Sequence, residues 1–159
     1  GYHGEFLTDT RGTGIMNRVF LGYQPWAGVI EGRRNGSLIS NSDGEAIQYA
    51  LFYLQERGTL FVNPGDKVYV GLILGENSRD NDLDVNPIKE KKLTNIRAAG
   101  KDEALLLIPP RRMSLEQAIA YIEDDELVEV TPGAVRLRKR YLDPHERKKH
   151  ARRAESEAA

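Results

Sequence analysis

The stretch Asn77-Ser78-Arg79-Asp80-Asn81-Asp82-Leu83-Asp84-Val85-Asn86-Pro87 runs on through Ile88-Lys89-Glu90-Lys91-Lys92-Leu93-Thr94-Asn95-Ile96-Arg97 to Glu103. It has no sustained hydrophobic period, either helical or strand-like. Two strand-like runs flank it, Lys67 to Leu74 before and Ala104 to Ile108 after. The pattern therefore reads as strand, long polar loop, strand. Structureless stretches of this length are uncommon in compact domains and are usually functional or disordered. The second half is the more telling. Lys89, Lys91, Lys92, Arg97 and Lys101 stand against a single acid, Glu90, and Asn86, Thr94 and Asn95 add neutral hydrogen-bonding groups. That mixture suits contacts to the phosphates and sugars of a nucleic acid. The plainer alternative is a solvated surface loop.

Upstream of this stretch, Ser42 and Glu45 have the spacing of a capping box. Ala46, Ile47, Ala50, Leu51 and Leu54 then recur at helical spacing, and Gly58 ends that helix at Arg57. Gly28 to Gly32 and Ser37 to Ser40 read as strands joined at Asn35-Gly36, a strong hairpin signal. Thr59 to Val62 reads as a strand, followed by the turn Asn63-Pro64-Gly65-Asp66. At the chain's start, residues 1–14 look like the end of a helix stopped at Arg11-Gly12-Thr13-Gly14. Ile15 to Phe20 reads as a strand, and Tyr23, Pro25 and Trp26 as a corner. This helix and strand cannot bury both faces without partners, which leaves self-association through them open.

Downstream, Ala104 to Ile108 is apolar throughout, predicting a strand covered on both faces, and Pro109-Pro110 breaks it. Ser114 and Gln117 form a second capping box, with Leu115, Ala118, Ile119 and Ile122 as the helix's apolar stripe. Leu127 to Val130 and Ala134 to Leu137 are short strands around Thr131-Pro132-Gly133. Asp143-Pro144 opens a last helix, with Asp as N-cap, Pro at the first helical position and Glu146 at the third. Its charges, Arg147, Lys148, Lys149, Arg152 and Arg153, leave almost no apolar face, so it should fray unless an anionic partner orders it.

The 159 residues suffice for one domain, or one domain with a fragment of another. Charged residues make up 30%, yet the net charge is −1, so only the distribution of charge can point to a partner. There is no cysteine, which excludes disulfides and thiolate metal sites. No apolar run approaches the roughly 18 residues of a membrane span, and no signal peptide opens the chain. A soluble, cytoplasmic protein is the expectation. The chain has no initiator Met and starts in mid-pattern at Gly1, as a piece of something longer would.

Several chemistries fail on residue type or spacing. The Gly100-Lys101 pair is followed by Asp102, not by the Ser or Thr of a phosphate loop. Gly12 and Gly14 lack the third glycine of a dinucleotide fingerprint, because position 17 is Asn17. Asp80, Asp82 and Asp84 alternate as in a calcium loop, but Val85 stands where the turn glycine belongs and Lys91 where the bidentate Glu belongs. His145 and His150 are five apart on a helix and so point about 140° away from each other. No Ser lies in a nucleophile elbow. No catalytic residue and no metal site is predicted.

Two basic segments remain, Lys89 to Lys101 and Arg136 to Arg153. Their counterweight is acidic, at Glu123, Asp124, Asp125, Glu126 and Glu129. A molecule with a basic face and an acidic face points to a nucleic-acid partner better than total charge does. The alternative is a protein–protein interaction module without RNA contact.

Specific runs carry a resemblance. Gly1-Tyr2, Phe6, Thr10-Arg11-Gly12-Thr13-Gly14, Phe20 and Tyr23 resemble the last helix and strand of the ferredoxin-like fifth domain of elongation factor G. Arg34-Asn35-Gly36 with Leu38-Ile39-Ser40, Leu54-Gln55-Glu56-Arg57-Gly58, Ser78-Arg79-Asp80-Asn81-Asp82-Leu83 and Lys91-Lys92-Leu93-Thr94-Asn95 resemble the BipA/TypA translational GTPases. So do Asp102-Glu103-Ala104, the run from Asp124 to Pro132, and Arg136-Leu137-Arg138-Lys139-Arg140.

The resemblance implies an α+β fold with a strand-rich, barrel-like C-terminal domain and packed helices. Residues 1–24 would be the remnant of the ferredoxin-like domain, 25–142 the C-terminal domain and 143–159 a basic tail. It implies that GTP and Mg belong to an N-terminal domain absent here, so that this chain needs no cofactor and is not itself an enzyme. It further implies ribosome binding, a loop entering the A site near the tRNA acceptor end, and a parent protein linked to large-subunit assembly and to cold or stress growth. The RNA-contacting candidates are Arg79, Lys89, Lys91, Lys92, Thr94, Asn95, Arg97, Lys101, Arg136, Arg138, Lys139, Arg140, Arg147 and Lys148.

Overall fold

The structure, a computed structural model, describes residues 2–25, 33–90 and 105–158, and the chain divides into two units, 1–32 and 33–159. In the first unit, helix α1 (Tyr2–Asp9) ends where expected. Gly12, at φ +77°, donates its N–H to the Leu7 carbonyl at 2.7 Å, the wrap that closes a helix C-terminus through a left-handed residue. Residues 15–20 are not a strand. Ile15, Val19 and Phe20 are exposed, and no described segment supplies the hydrogen-bonding edge that a strand requires. The predicted strand Gly28 to Gly32 and the corner residue Trp26 lie outside the described residues.

The second unit is α+β. Its main sheet holds β1 (Ser37–Ser40), β3 (Gly58–Leu60), β5 (Ile73–Asn77) and β6 (Leu83–Val85) in the order β3-β5-β1-β6. β5 runs antiparallel to β3 and β1, whereas β6 lies parallel to β1. A two-stranded ribbon pairs β2 (Gly44–Glu45) with β4 (Lys67–Val68), and a hairpin pairs β7 (Glu126–Thr131) with β8 (Ala134–Lys139). The hairpin is joined to the main sheet by a Leu72–Arg138 bridge and by the Lys139 N–H on the Gly71 carbonyl at 2.9 Å. Among the described residues the sheets do not close into a barrel.

Successive residues of a strand face opposite sides, and β5 uses both. Leu72 and Leu74 pack into one cluster with Leu38, Leu60 and Val85, and with Leu51 and Leu54 of helix α2 (Gln48–Leu54). Ile73 faces the other way, against Ala118 of helix α3 (Leu115–Tyr121) and Leu137 of β8. The sheet is thus covered by α2 on one face and by α3 with the hairpin on the other. Each fully buried Leu contributes about 1.5–3 kcal/mol. α3 begins with the expected capping box, both Ser114–Gln117 hydrogen bonds being present. α4 (Pro144–Ala158) begins with the Asp143 carboxylate accepting from the amides of His145 and Glu146, at 2.7 and 3.1 Å.

Four sequence expectations need correction. The Ser42–Glu45 pair is no capping box: Gly44 and Glu45 are taken by the β2–β4 ribbon, and α2 starts at Gln48 behind an Ile47 that makes no side-chain cap. Lys67 to Leu74 is not one strand, because Gly71 adopts φ +87° and bends the chain between β4 and β5. The stretch after Asn77 is not wholly irregular, since Leu83–Val85 pairs with β1. Residues 105–108 are not a buried strand: Leu106 and Ile108 are exposed, and Gln side chains hold the segment in place.

Candidate nucleic-acid interface

The polar stretch is anchored at both ends on helix α2 and its flanking residues. On the entering side, β6 sits beside β1, Pro87 is buried, and Ile88 packs on the main cluster. Asn86 accepts the Ile88 N–H at 2.9 Å, and the Pro87 carbonyl accepts from the Ile47 N–H at 3.0 Å. On the returning side, Gln48 Nε2 donates to the Leu105 carbonyl at 2.8 Å, and Gln55 bonds the Leu106 carbonyl and the Ile108 N–H. The chain therefore leaves and re-enters the fold beside adjacent residues, Ile47 and Gln48. Lys89 is exposed where the stretch departs. Lys91, Lys92, Thr94, Asn95, Arg97 and Lys101 lie outside the described residues.

The remaining candidates separate by environment. Arg79, Arg140 and Lys148 are exposed, and Arg136 and Arg138 are half-buried on β8. Arg147 turns back onto the fold: it pairs with Asp84 and donates to the carbonyls of Tyr141 and Leu142. His150 stacks on Tyr141 with ring centroids 3.8 Å apart, so α4 is pinned along its first turns.

Lys139 departs most from expectation. Its side chain is 3% exposed, and the ammonium lies 2.7 Å from Asp82, 2.9 Å from Asp125 and 3.1 Å from Glu126. It is committed to the fold and cannot reach a phosphate. Glu126 is equally enclosed. Arg33 grips it with two bonds, Nη1 to Oε2 at 3.0 Å and Nη2 to Oε1 at 2.8 Å. The Ser37 hydroxyl donates to Glu126 Oε1 at 2.9 Å, and the Ser37 N–H donates to Asp82 Oδ1 at 2.8 Å. Arg33 also lies 4.5 Å over the Tyr121 ring.

Burial pushes the Glu126 carboxyl up, but Arg33 and Lys139 outweigh that and hold it below the usual carboxylate range. Burial pulls the Lys139 ammonium down, and the hydrogen bonds to Asp82 and Asp125 more than reverse this, leaving it raised. Buried charges survive only with such pairing. The expected separation into an acidic and a basic face is thus corrected in part, because Glu126 and Lys139 neutralise each other inside. Their cluster ties the 78–82 turn to the hairpin.

Arg33 carries no local signal in the sequence, since its partner Glu126 is far away along the chain, whereas Arg111-Arg112 is visible there as two adjacent cations after Pro109-Pro110. Among the described residues no group of His, Asp and Glu is arranged to hold a metal ion, and no helix is long and apolar enough to cross a membrane.

A profile for the TypA/BipA C-terminal domain matches residues 35–144. The chain is also similar to proteins named large ribosomal subunit assembly factor BipA. Those of Salmonella typhimurium and Escherichia coli K12 are 52% identical over 150 residues, covering 94% of this chain and 25% of theirs. That of Haemophilus influenzae is 52% identical over 150 residues, covering 94% of this chain and 24% of its own length. The chain therefore spans about a quarter of the length of the curated relatives it matches.

Proposed function

The chain belongs to the TypA/BipA family through its C-terminal domain, and from that premise we propose that it is a ribosome-binding domain acting in large-subunit assembly in the cytoplasm. The segment from Asn86 to Lys101 carries the contact. Lys89, Lys91, Lys92, Arg97 and Lys101 meet RNA backbone, while Asn86, Thr94 and Asn95 shape the segment or reach sugars and bases. On the ribosome the segment enters the A site near the tRNA acceptor end. Arg79 before the segment, Arg140 after β8 and Lys148 on α4 add exposed charge. GTP and its Mg ion belong to the part of the relatives that this chain does not span.

One observation carries the proposal: a segment with five cations and one acid between Lys89 and Lys101 leaves and re-enters the fold at Ile47 and Gln48. A fixed base of that kind is suited to presenting a segment to a partner. Cosedimentation with ribosomes at several salt concentrations tests it. Lys91→Ala with Lys92→Ala is expected to weaken binding and to flatten the log–log salt slope by roughly 0.7–0.9 for each phosphate left without its cation. Thermal stability should not change. Parent-like cosedimentation at every salt would sink the proposal. Binding that persists at high salt and after RNase treatment would point to a protein partner instead.

A further inference from the structure

A groove of about 490 Å³ opens between β8, the segment before α3 and the end of β3, and shares no residue with the Asn86–Lys101 segment. Its floor is apolar: Phe61, Leu72, Ile73, Met113, Val135 and Leu137. Its rim is cationic, with Lys67, Arg111, Arg112 and Arg136 against one acid, Asp66. The volume lies within the range of small-molecule and nucleotide sites, roughly 300–1,000 Å³.

The rim cations are only loosely engaged. Arg111 stands 3.7 Å from Glu76 and Arg112 stands 3.5 Å from Asp66, and these two arginine side chains are 50% and 58% exposed. Among the described residues neither Lys67 nor Arg136 takes part in an ion pair. The backbone beneath Arg111 is nevertheless fixed, its N–H donating to the Leu60 carbonyl at 2.8 Å. Phe61 is held edge-on to Tyr121 at 5.6 Å between centroids, so its ring is positioned in advance.

The geometry points to an unstacked nucleotide of single-stranded RNA as the occupant, its base on Phe61 and Met113 and its phosphate between Arg111, Arg112 and Arg136. The charge is complementary to a phosphate, which guanidinium forks grip bidentately. The apolar floor, with the Phe61 ring in it, suits a base, whose faces stack on aromatic side chains whatever the sequence. An acidic peptide fits less well, because it must also satisfy its own amides. The Thr131 hydroxyl at the rim is already spent on the Ala134 carbonyl and N–H, both at 3.0 Å.

The test is fluorescence anisotropy of this 159-residue chain with a short unstructured RNA, together with photocrosslinking by 4-thiouridine. Crosslinks are expected at Phe61 or Met113. Arg111→Gln with Arg112→Gln is expected to weaken binding on the order of tenfold and to lower the salt slope by about 0.7 for each phosphate no longer neutralised. Phe61→Leu keeps the floor apolar and removes the aromatic face; it should weaken binding about fivefold or more with the salt slope unchanged. Lys91→Ala with Lys92→Ala should leave the crosslinks in place, so failure of the groove and failure of the loop are separable. Crosslinks confined to other residues would overturn the inference. So would parent-like salt slopes in the arginine variant, UMP binding as tightly as the RNA, or an acidic peptide occupying the groove in place of RNA.

Discussion

Lys139 and Lys148 belong to one basic run in the sequence and meet opposite fates in the fold. Lys139 is on β8, where the pleat turns it inward, and Asp82, Asp125 and Glu126 close around it. Lys148 is on α4, exposed, on a helix that is charged nearly all round. Both are lysines flanked by arginine, histidine or lysine within a few residues. What separates them is whether acids distant along the chain converge on the site. A count of local charge therefore overstates the surface available to an anionic partner, and each cation must be assigned to fold or surface before it is assigned to function.

The sharpest way to break this contrast is Glu126→Ala. It strands Arg33 in an enclosed site, where an uncompensated buried charge costs about 3–5 kcal/mol, while Lys139 keeps Asp82 and Asp125. Urea unfolding should show a loss of that size. Lys148→Ala is the control, expected within about ±0.5 kcal/mol. If the two variants unfold alike, the buried cluster is not what joins the hairpin to the 78–82 turn.

A smaller effect sharpens the same contrast through pH. Glu126 is held below its unfolded value of about 4.3. Its contribution is therefore complete above that pH and is lost as pH falls through the folded-state value. Lys139 is raised above its unfolded value of about 10.4. Its contribution is complete below that pH and is lost as pH rises through the folded-state value. The cluster should thus add constant stability across the neutral range and weaken at both extremes. Unfolding midpoints for the parent and Glu126→Gln check this. The acid-side fall should be shallower in the variant, and identical acid limbs would count against the assigned shift.

These residues also mark how far the sequence could be read. The β7–β8 hairpin, the capped start of α3 and the Asp143-Pro144 start of α4 were legible, because each is set by neighbours within a few positions. The family resemblance was legible in runs such as Ser78-Arg79-Asp80-Asn81-Asp82-Leu83, and it led to the right α+β class. The failures were non-local. Three residues, Leu83–Val85, form a strand only because β1 lies alongside. Ser42 and Glu45 match a capping box, yet Glu45 is opposite Lys67 in a ribbon. Gly71 breaks an apolar run that reads as continuous strand. For the site, the anchors at Ile47, Gln48 and Gln55 had no signal in the sequence, because they join segments more than thirty residues apart.

The least disruptive test of the contrast is at the helix cap. Asp143 accepts the amides of Glu146 and His145, which hold its carboxyl below the usual range. Asp143→Ala frees both N–H groups, and α4 has little packed apolar surface to hold its first turn instead. Arg147 on Asp84 and His150 on Tyr141 remain as tethers. The expected result is faster amide exchange at His145 and Glu146 with the midpoint of global unfolding almost unmoved. That outcome places α4 outside the cooperative core, free to meet a partner, while β8 stays inside it. A drop in the global midpoint as large as that of Glu126→Ala would show instead that α4 unfolds with the core, and the distinction between Lys139 and Lys148 would then be one of exposure alone.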